Sequence, residues 1–348
     1  MNQIAASSAD AYCTSGPSPT RGLRSTPTGV HLLGIGSVGR AWLATLPASL
    51  RLLGATDRSG TVLARRGLPP DLVAWHKQSG RPLRDWLDTG GTLPGVHEPT
   101  PLAAIVVDLT ATDPARGRTD AGRIRAWLDR GQRVALASKH AVVADPTLLE
   151  HPNLGANGVL GGTGARLQAQ LPELRAAFHH AAVAGSATST VILAAIEAGG
   201  TLSDGLEVAC RQGVLEPDPE LDLRGTDAAL KLALVAGALL GRPVDPATIA
   251  VQDLRSVDLD AVRARPGQGR TTRLIGRVTR DGRLSLRYEA VRADDPLANP
   301  PDRLVYAYDL GTEMPRVHVG HGLGADGTAR ATQVDVDRFL VEPGAGVV

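Results

Sequence analysis

Two lysines and one aspartate carry the strongest hint of chemistry in this chain. Of its 37 basic residues only Lys77, Lys139 and Lys231 are lysine, leaving 34 arginines. Arginine stays protonated at working pH, whereas lysine, once desolvated, can give up a proton. A lysine retained against that bias is a candidate for acid–base work. Lys231 lies four residues after Asp227 in the run Asp227-Ala228-Ala229-Leu230-Lys231. On a helix that spacing puts both side chains on one face, a turn apart. The two could form a simple surface pair at the helix start; they could also hold a proton that a substrate hydroxyl exchanges while hydride moves. Lys139 closes an apolar strand-like run at Ser138-Lys139, and Lys77, in the polar run His76-Lys77-Gln78-Ser79-Gly80, is given no role.

A second cluster concerns the hydride carrier. Gly34-Ile35-Gly36-Ser37-Val38-Gly39 follows an apolar strand at 30–33 and opens an amphipathic helix at 40–46. In a dinucleotide fingerprint the first glycine permits the tight turn, the second lets backbone approach the pyrophosphate, and the third allows close helix packing. Ser37 and Val38 would present backbone N–H groups there. Another strand, 51–56, ends at Asp57, 23 residues after Gly34, where a carboxylate is expected to accept the adenosine ribose hydroxyls and favour NAD. Arg58 beside it could instead grip a 2′-phosphate, so NAD and NADP both stay open.

These residues need an α/β frame. Strands at 104–109, ending in Thr110-Ala111-Thr112, and at 133–137, ending in Ser138-Lys139, alternate with helical patterns, notably 121–129. This predicts a Rossmann-type, doubly wound parallel sheet whose ligand lies beyond the strands' carboxyl ends, with Thr110 and Lys139 on that edge. After about residue 155 the texture changes. Helices are expected at 167–177, 190–198, 202–212 and 227–240. The stretch 274–291 alternates around Asp281-Gly282, a hairpin signal, and strand-like runs follow at 304–308 and 316–319. The reading is a loose tail at 1–27, a nucleotide-binding domain at 28–150 completed by a C-terminal helix at 328–342, and an α+β catalytic and dimerisation domain at 151–327.

Composition excludes other classes. With 36 acidic residues the formal charge is +1, so no global field draws the chain to nucleic acid, and no apolar run suits a signal peptide or a membrane span. The arginine-rich hairpin reads as a solvated sheet surface. Cys13 and Cys210 are too few for a disulfide framework and suit a reducing cytoplasm. Cys13 lies in the tail and Cys210 on an amphipathic helix as a buried structural thiol, which argues against a thioester-forming aldehyde dehydrogenase. His318 and His321, three apart without acidic or cysteine partners, do not make a metal site.

The residues resemble the homoserine dehydrogenase family along almost the whole chain after the tail. The specific segment is Glu216-Pro217-Asp218-Pro219 with Asp222, Gly225, Asp227-Ala228-Ala229 and Lys231. The glycine turn, Ala137-Ser138-Lys139, Asp295-Pro296-Leu297-Ala298 and Gly327-Thr328-Ala329 match its weaker motifs. The resemblance implies reversible NAD- or NADP-dependent hydride transfer between L-aspartate 4-semialdehyde and L-homoserine, in threonine and methionine biosynthesis, by a homodimer. It implies Lys231 as general acid or base, Asp227 setting its charge and orientation, and Lys139 as a catalytic residue that holds substrate near the nicotinamide and shares the proton work. Glu216 and Asp222 would bind the substrate's amino group or hydroxyl, and Gly185 would sit at the substrate. With nothing after Val348, a form without a regulatory extension is expected. Two segments depart from the family. Gly185-Ser186-Ala187-Thr188-Ser189-Thr190 replaces its Gly-Thr-x-Asn, and the loop 157–164 lacks the glutamate that helps bind a monovalent cation, which leaves that ion open. A relative acting on a different small amino aldehyde or alcohol, and a non-catalytic nucleotide sensor, are the alternative readings.

Overall fold

A computed structural model describes residues 26–86, 91–215, 220, 223–322 and 324–342. Glu216, Asp222 and the tail up to Ser25, with Cys13, lie outside the described residues. The chain builds two sheets, a largely parallel one with helices on both faces and an antiparallel one with helices on one face.

In the first sheet β1 (Thr28–Leu33), β2 (Leu50–Asp57), β5 (Ile105–Asp108), β6 (Arg133–Leu136) and β7 (Leu154–Gly155) run parallel, while β3 (Gly60–Leu63) and β4 (Gly91–Pro94) extend one edge antiparallel. The order β4-β3-β2-β1-β5-β6-β7 reverses direction between β1 and β5. A crevice therefore opens at their carboxyl ends. Successive residues of each strand feed opposite layers. Val30, Leu32, Ile105 and Val107 pack with Trp42 of α1 (Ser37–Ala44), Val73 of α2 (Pro70–Gln78), and Ala329, Val336 and Phe339 of the last helix, Gly324–Val341. Leu33, Val106, Val134 and Leu136 face α3 (Gly117–Asp129) and α4 (His140–Ala144).

The second sheet has the order β10-β9-β8-β11-β12, comprising β8 (His180–Ala184), β9 (Arg270–Thr279), β10 (Leu284–Arg292), β11 (Arg303–Asp309) and β12 (Arg316–His321). The expected hairpin turns at Gly282, with φ +86°. Over this sheet lie α5 (Gly164–Ala177), α6 (Ala187–Glu197) and α8 (Thr226–Leu240), while α7 (Leu202–Arg211) packs through Ala209. The short α9 (Leu259–Ala264) precedes β9, and α10 (Gly324–Val341) ends the described chain. Central strand β8 escaped the sequence reading. Its His-Ala-Ala-Val-Ala run has no polar alternation, because every residue after His180 is buried, and alanine favours helix on propensity alone.

Two expectations are corrected here. Cys210 is exposed rather than buried, because α7 turns Gly205 and Ala209 inward and leaves the next position facing out. Arg273 departs from the solvated hairpin surface: it is buried, and its guanidinium donates to the carbonyls of Asn299, Thr272 and Ala298. His318 and His321, three apart on a strand, point to opposite faces, one buried against Tyr308 and the other exposed. Among the described residues no group of three or more His, Cys, Asp or Glu is placed to hold a metal ion, and no helix is long and apolar enough to cross a membrane.

Candidate active site

The glycine turn behaves as its spacing requires. Gly34 has φ +84°, and a Cβ there would come within 2.6 Å of the Leu109 carbonyl and the Thr110 nitrogen, so only glycine seats β1 against the end of β5. A Cβ on Gly39 would lie 2.2 Å from the Gly34 carbonyl oxygen, whereas one on Gly36 meets nothing within 4 Å. The turn is thus sterically closed towards the protein and open towards solvent at Gly36. Gly36 N-caps α1 without a side-chain acceptor, which leaves the first-turn N–H groups of Ser37, Val38 and Gly39 aimed at the opening, a geometry suited to a phosphate. These residues fit a dinucleotide.

Asp57 stands at the end of β2, but its carboxylate is already engaged. Oδ1 accepts from the Ser59 N–H (2.7 Å) and hydroxyl (2.5 Å), and Oδ2 accepts from the Leu83 N–H (3.0 Å) and the Lys77 ammonium (2.5 Å). Burial works against its ionisation, yet Lys77 and the other donors hold the carboxyl below the usual range. Lys77, given no role from sequence, is therefore the partner of Asp57. Behind it a buried chain fixes this end of the sheet. The Thr100 N–H donates to His31 Nδ1 (3.2 Å), so His31 Nε2 carries the proton to Thr56 Oγ1 (2.7 Å), which lies 2.6 Å from Thr61 Oγ1; Thr61 donates to the Val96 carbonyl. Arg58 is exposed beside Asp57.

Thr110 lies at the tip of β5, where its N–H (3.0 Å) and hydroxyl (2.6 Å) both donate to Asp108 Oδ1. Burial pushes the Asp108 carboxyl up, and the bonds from Thr110 only partly offset that.

The three residues singled out for proton chemistry meet. Lys231 Nζ lies 2.7 Å from Asp227 Oδ2, and Lys139 Nζ lies 3.2 Å from Asp227 Oδ1, so one carboxylate bridges an ammonium from its own helix α8 and one from the segment that follows β6. Lys231 also donates to the Gly185 carbonyl (2.6 Å). A Cβ on Gly185 would come within 3.3 Å of Lys231 Cδ, so a small residue is needed where the end of β8 passes the lysine. Asp227 keeps 46 % of its side-chain surface open, while Lys231 and Lys139 are 11 % and 19 % exposed. Burial would raise the Asp227 carboxyl, but the charges of Lys231 and then Lys139 override it and hold it far below the ordinary range. Lys231 is the single charged side chain in the buried run from Ala228 to Leu239. The start of α8 is set by Gly225, at φ +65°.

The segment 185–190 that departs from the family pattern caps α6. Ser186 Oγ accepts from the Ser189 N–H (3.1 Å), and the Thr188 hydroxyl donates to the Val214 carbonyl (2.6 Å). In the loop 157–164, Asn157 is pinned to α10: its N–H donates to Asp335 Oδ2 (2.7 Å) and its side-chain amide to the Ala331 carbonyl (3.0 Å).

Sequence reasoning passed over two further groups near the cluster. The Tyr306 hydroxyl is buried on the helix-covered face of β11 without a partner among the described residues. His140, next to Lys139, is buried against Asp120. The adjacency Lys139-His140 was visible in sequence, but the partner 20 residues upstream was not.

Comparison with known proteins agrees with this fold. A family model described as homoserine dehydrogenase matches residues 176–336. An NAD(+)-dependent homoserine dehydrogenase of Pseudomonas canavaninivorans is 27 % identical over 301 residues, 77 % of this chain and 83 % of the relative. The bifunctional aspartokinase/homoserine dehydrogenase 2 of Escherichia coli is 31 % identical over 158 residues, 38 % of this chain and 19 % of that longer protein. Among solved structures, a hyperthermophilic archaeal homoserine dehydrogenase in complex with NADPH superposes with a TM-score of 0.70 at 21 % identity, covering 92 % of this chain and 100 % of the other. The homoserine dehydrogenase of Thermoplasma acidophilum gives 0.66 at 20 % identity, covering 90 % and 99 %. The matched residues 176–336, which contain the paired Asp227 and Lys231, are similar to the homoserine dehydrogenase family.

Proposed function

We propose that this chain is an NAD(P)-dependent homoserine dehydrogenase that interconverts L-aspartate 4-semialdehyde and L-homoserine. The observation that carries the reading is the Lys139–Asp227–Lys231 cluster, in which one carboxylate fixes two ammonium groups at the mouth of the parallel sheet. Bound nicotinamide nucleotide supplies or accepts the hydride. Gly34, Gly36 and Gly39 with the N–H groups of Ser37 and Val38 hold its pyrophosphate, and Thr110 borders the nicotinamide. During reduction Lys231 Nζ donates a proton to the aldehyde oxygen as hydride reaches the carbonyl carbon, giving the alcohol; in the reverse direction the neutral amine takes the hydroxyl proton. Asp227 and the Gly185 carbonyl orient the ammonium so that one N–H is left for substrate. Lys139 holds the substrate near the nicotinamide. From the family resemblance, Glu216 and Asp222 bind the substrate's amino group or its hydroxyl, and two copies form a homodimer in the cytoplasm, where two cysteines without a disulfide framework are at home.

The intact proton machinery favours an enzyme over a nucleotide sensor, which has no use for a proton donor. The test follows NADPH and NADH absorbance with L-aspartate 4-semialdehyde and then with other small amino aldehydes. Turnover of the semialdehyde with kcat/KM at least tenfold above the others supports the reading; nucleotide binding without turnover of any aldehyde refutes it. Lys231→Arg keeps the charge and the Asp227 pair but cannot release a proton, so kcat should fall about a hundredfold or more. A near-normal kcat would show that Lys231 supplies only charge.

A further inference from the structure

His140 is buried, with 1 % of its side chain exposed, and both ring nitrogens are used. Nδ1 accepts from the Asp113 backbone N–H at 3.1 Å. That leaves Nε2 to carry the proton, which it donates to Asp120 Oδ2 at 2.9 Å. Asp120, in the first turn of α3, is held in turn by Arg116 Nη2 (3.1 Å) and Arg123 Nη1 (3.3 Å). The imidazole thus joins three pieces of chain: the loop beyond β5, the start of α3 and the start of α4.

The loop and the start of α4 are the pieces that border the cluster. Asp113 ends the segment opened by Thr110, and one residue earlier Thr112 Oγ1 accepts from the Lys139 N–H at 3.2 Å. The two bonds, Thr112 to Lys139 and Asp113 to His140, rivet the tip of β5 to the tip of β6. Lys139 is the N-cap residue of α4, and its side chain crosses to Asp227. A shift of its backbone by about 1 Å would break that 3.2 Å pair and alter how Asp227 holds Lys231. An apolar residue would fill the site of His140 at lower desolvation cost, since buried polar networks are often no more stable than well-packed hydrophobes. Geometry at the neighbouring lysine gives the network a purpose that stability does not.

We propose that His140, backed by Asp120, is a positioning residue for hydride transfer: it clamps the 110–113 loop to the start of α4 and so sets Lys139 against Asp227 and Lys231. The proposal rests on the dehydrogenase reading above, and its test separates the two. Asn places an acceptor close to the position of Nδ1, and Gln places a donor close to Nε2. His140→Asn therefore keeps the bond from Asp113, while His140→Gln keeps only the bond to Asp120. At a temperature where circular dichroism shows both variants folded, His140→Gln should lose about tenfold or more in kcat. Its Kd for NADPH, read by fluorescence, should change less than kcat does, because the Gly34–Gly39 turn that holds the pyrophosphate is kept and only the Thr110 border is loosened. His140→Asn should recover most of the lost kcat. Hydrogen exchange of the peptides spanning 109–115 and 137–144 should quicken in the Gln variant and stay slow in the Asn variant. Wild-type kcat in both variants with only a lowered Tm would overturn the proposal, as would equal losses in both. If the wild type turns over no aldehyde, the dehydrogenase reading fails, and unchanged exchange in His140→Gln would independently remove the clamp.

Discussion

The Asp57–Lys77 pair makes the choice between NAD and NADP testable. In a sheet of this kind a free carboxylate after the second strand accepts ribose hydroxyls and repels a 2′-phosphate. Here four donors occupy the Asp57 oxygens and Lys77 cancels the charge, while Arg58 is exposed alongside. Lys77→Met keeps the aliphatic stem of the helix residue and deletes the ammonium. Asp57 then regains an open acceptor site on Oδ2 and an uncompensated negative charge. At about 6 Å and an effective dielectric of about 40, unit charges interact by about 1.4 kcal/mol; a 2′-phosphate carries about −1.5 to −2. The side chains are 17 % and 11 % exposed, so screening lowers but does not erase that repulsion, and a net penalty of about 1–2 kcal/mol is expected. This corresponds to about a 5- to 30-fold loss of NADP(H) affinity relative to NAD(H). Steady-state kcat/KM for both nucleotides, taken at low and high salt, measures it, and the discrimination should shrink as salt rises. A ratio within twofold of wild type, with a lowered Tm, would refute the reasoning and reduce the pair to an anchor for the loop at Leu83.

The glycine turn offers a contrast between binding and folding. Gly36→Val should leave Tm nearly unchanged, because the added side chain enters open space, but weaken NADPH binding tenfold or more. Gly39→Ala should lower Tm through its clash with the Gly34 carbonyl oxygen. Equal loss of Tm in both, read by thermal melts with and without nucleotide, would contradict that division. Asp335 supplies a pH test. Its Oδ1 is buried without a partner among the described residues, and burial lifts the carboxyl to about 6, above its ordinary 3.8. Because the folded state holds this proton more tightly, the stabilisation is fully present below pH 3.8 and is lost as pH rises towards and through about 6. Asp335→Asn retains an acceptor for the Asn157 N–H and removes the buried charge, so at pH 7.5 it should stabilise by on the order of 1–2 kcal/mol, with the gain shrinking at pH 5. Urea midpoints at the two pH values decide it, and a gain that is the same at both would refute the account.

Much of this architecture was written in local pattern. The glycine spacing, the apolar runs of β1, β5 and β6, the Asp281-Gly282 turn and the apolar length of α8 are short-range properties, because steric demands of a turn and the periodicity of a buried face act within a few residues. Lys139, Asp227 and Lys231 stood out because lysine is scarce and the i,i+4 spacing belongs to one helix. Tertiary structure decided the rest, since side-chain partners are chosen by distance in space. It brought Lys139 to Asp227 across 88 positions and gave Lys77 to Asp57 across 20, which changed the expected ribose acceptor into a neutralised one. Partner choice also placed His140 on Asp120 and turned Cys210 outward. Strand β8 shows the same limit in the backbone: a short alanine-rich run says helix by propensity, and only pairing with β9 and β11 on either side makes it a strand.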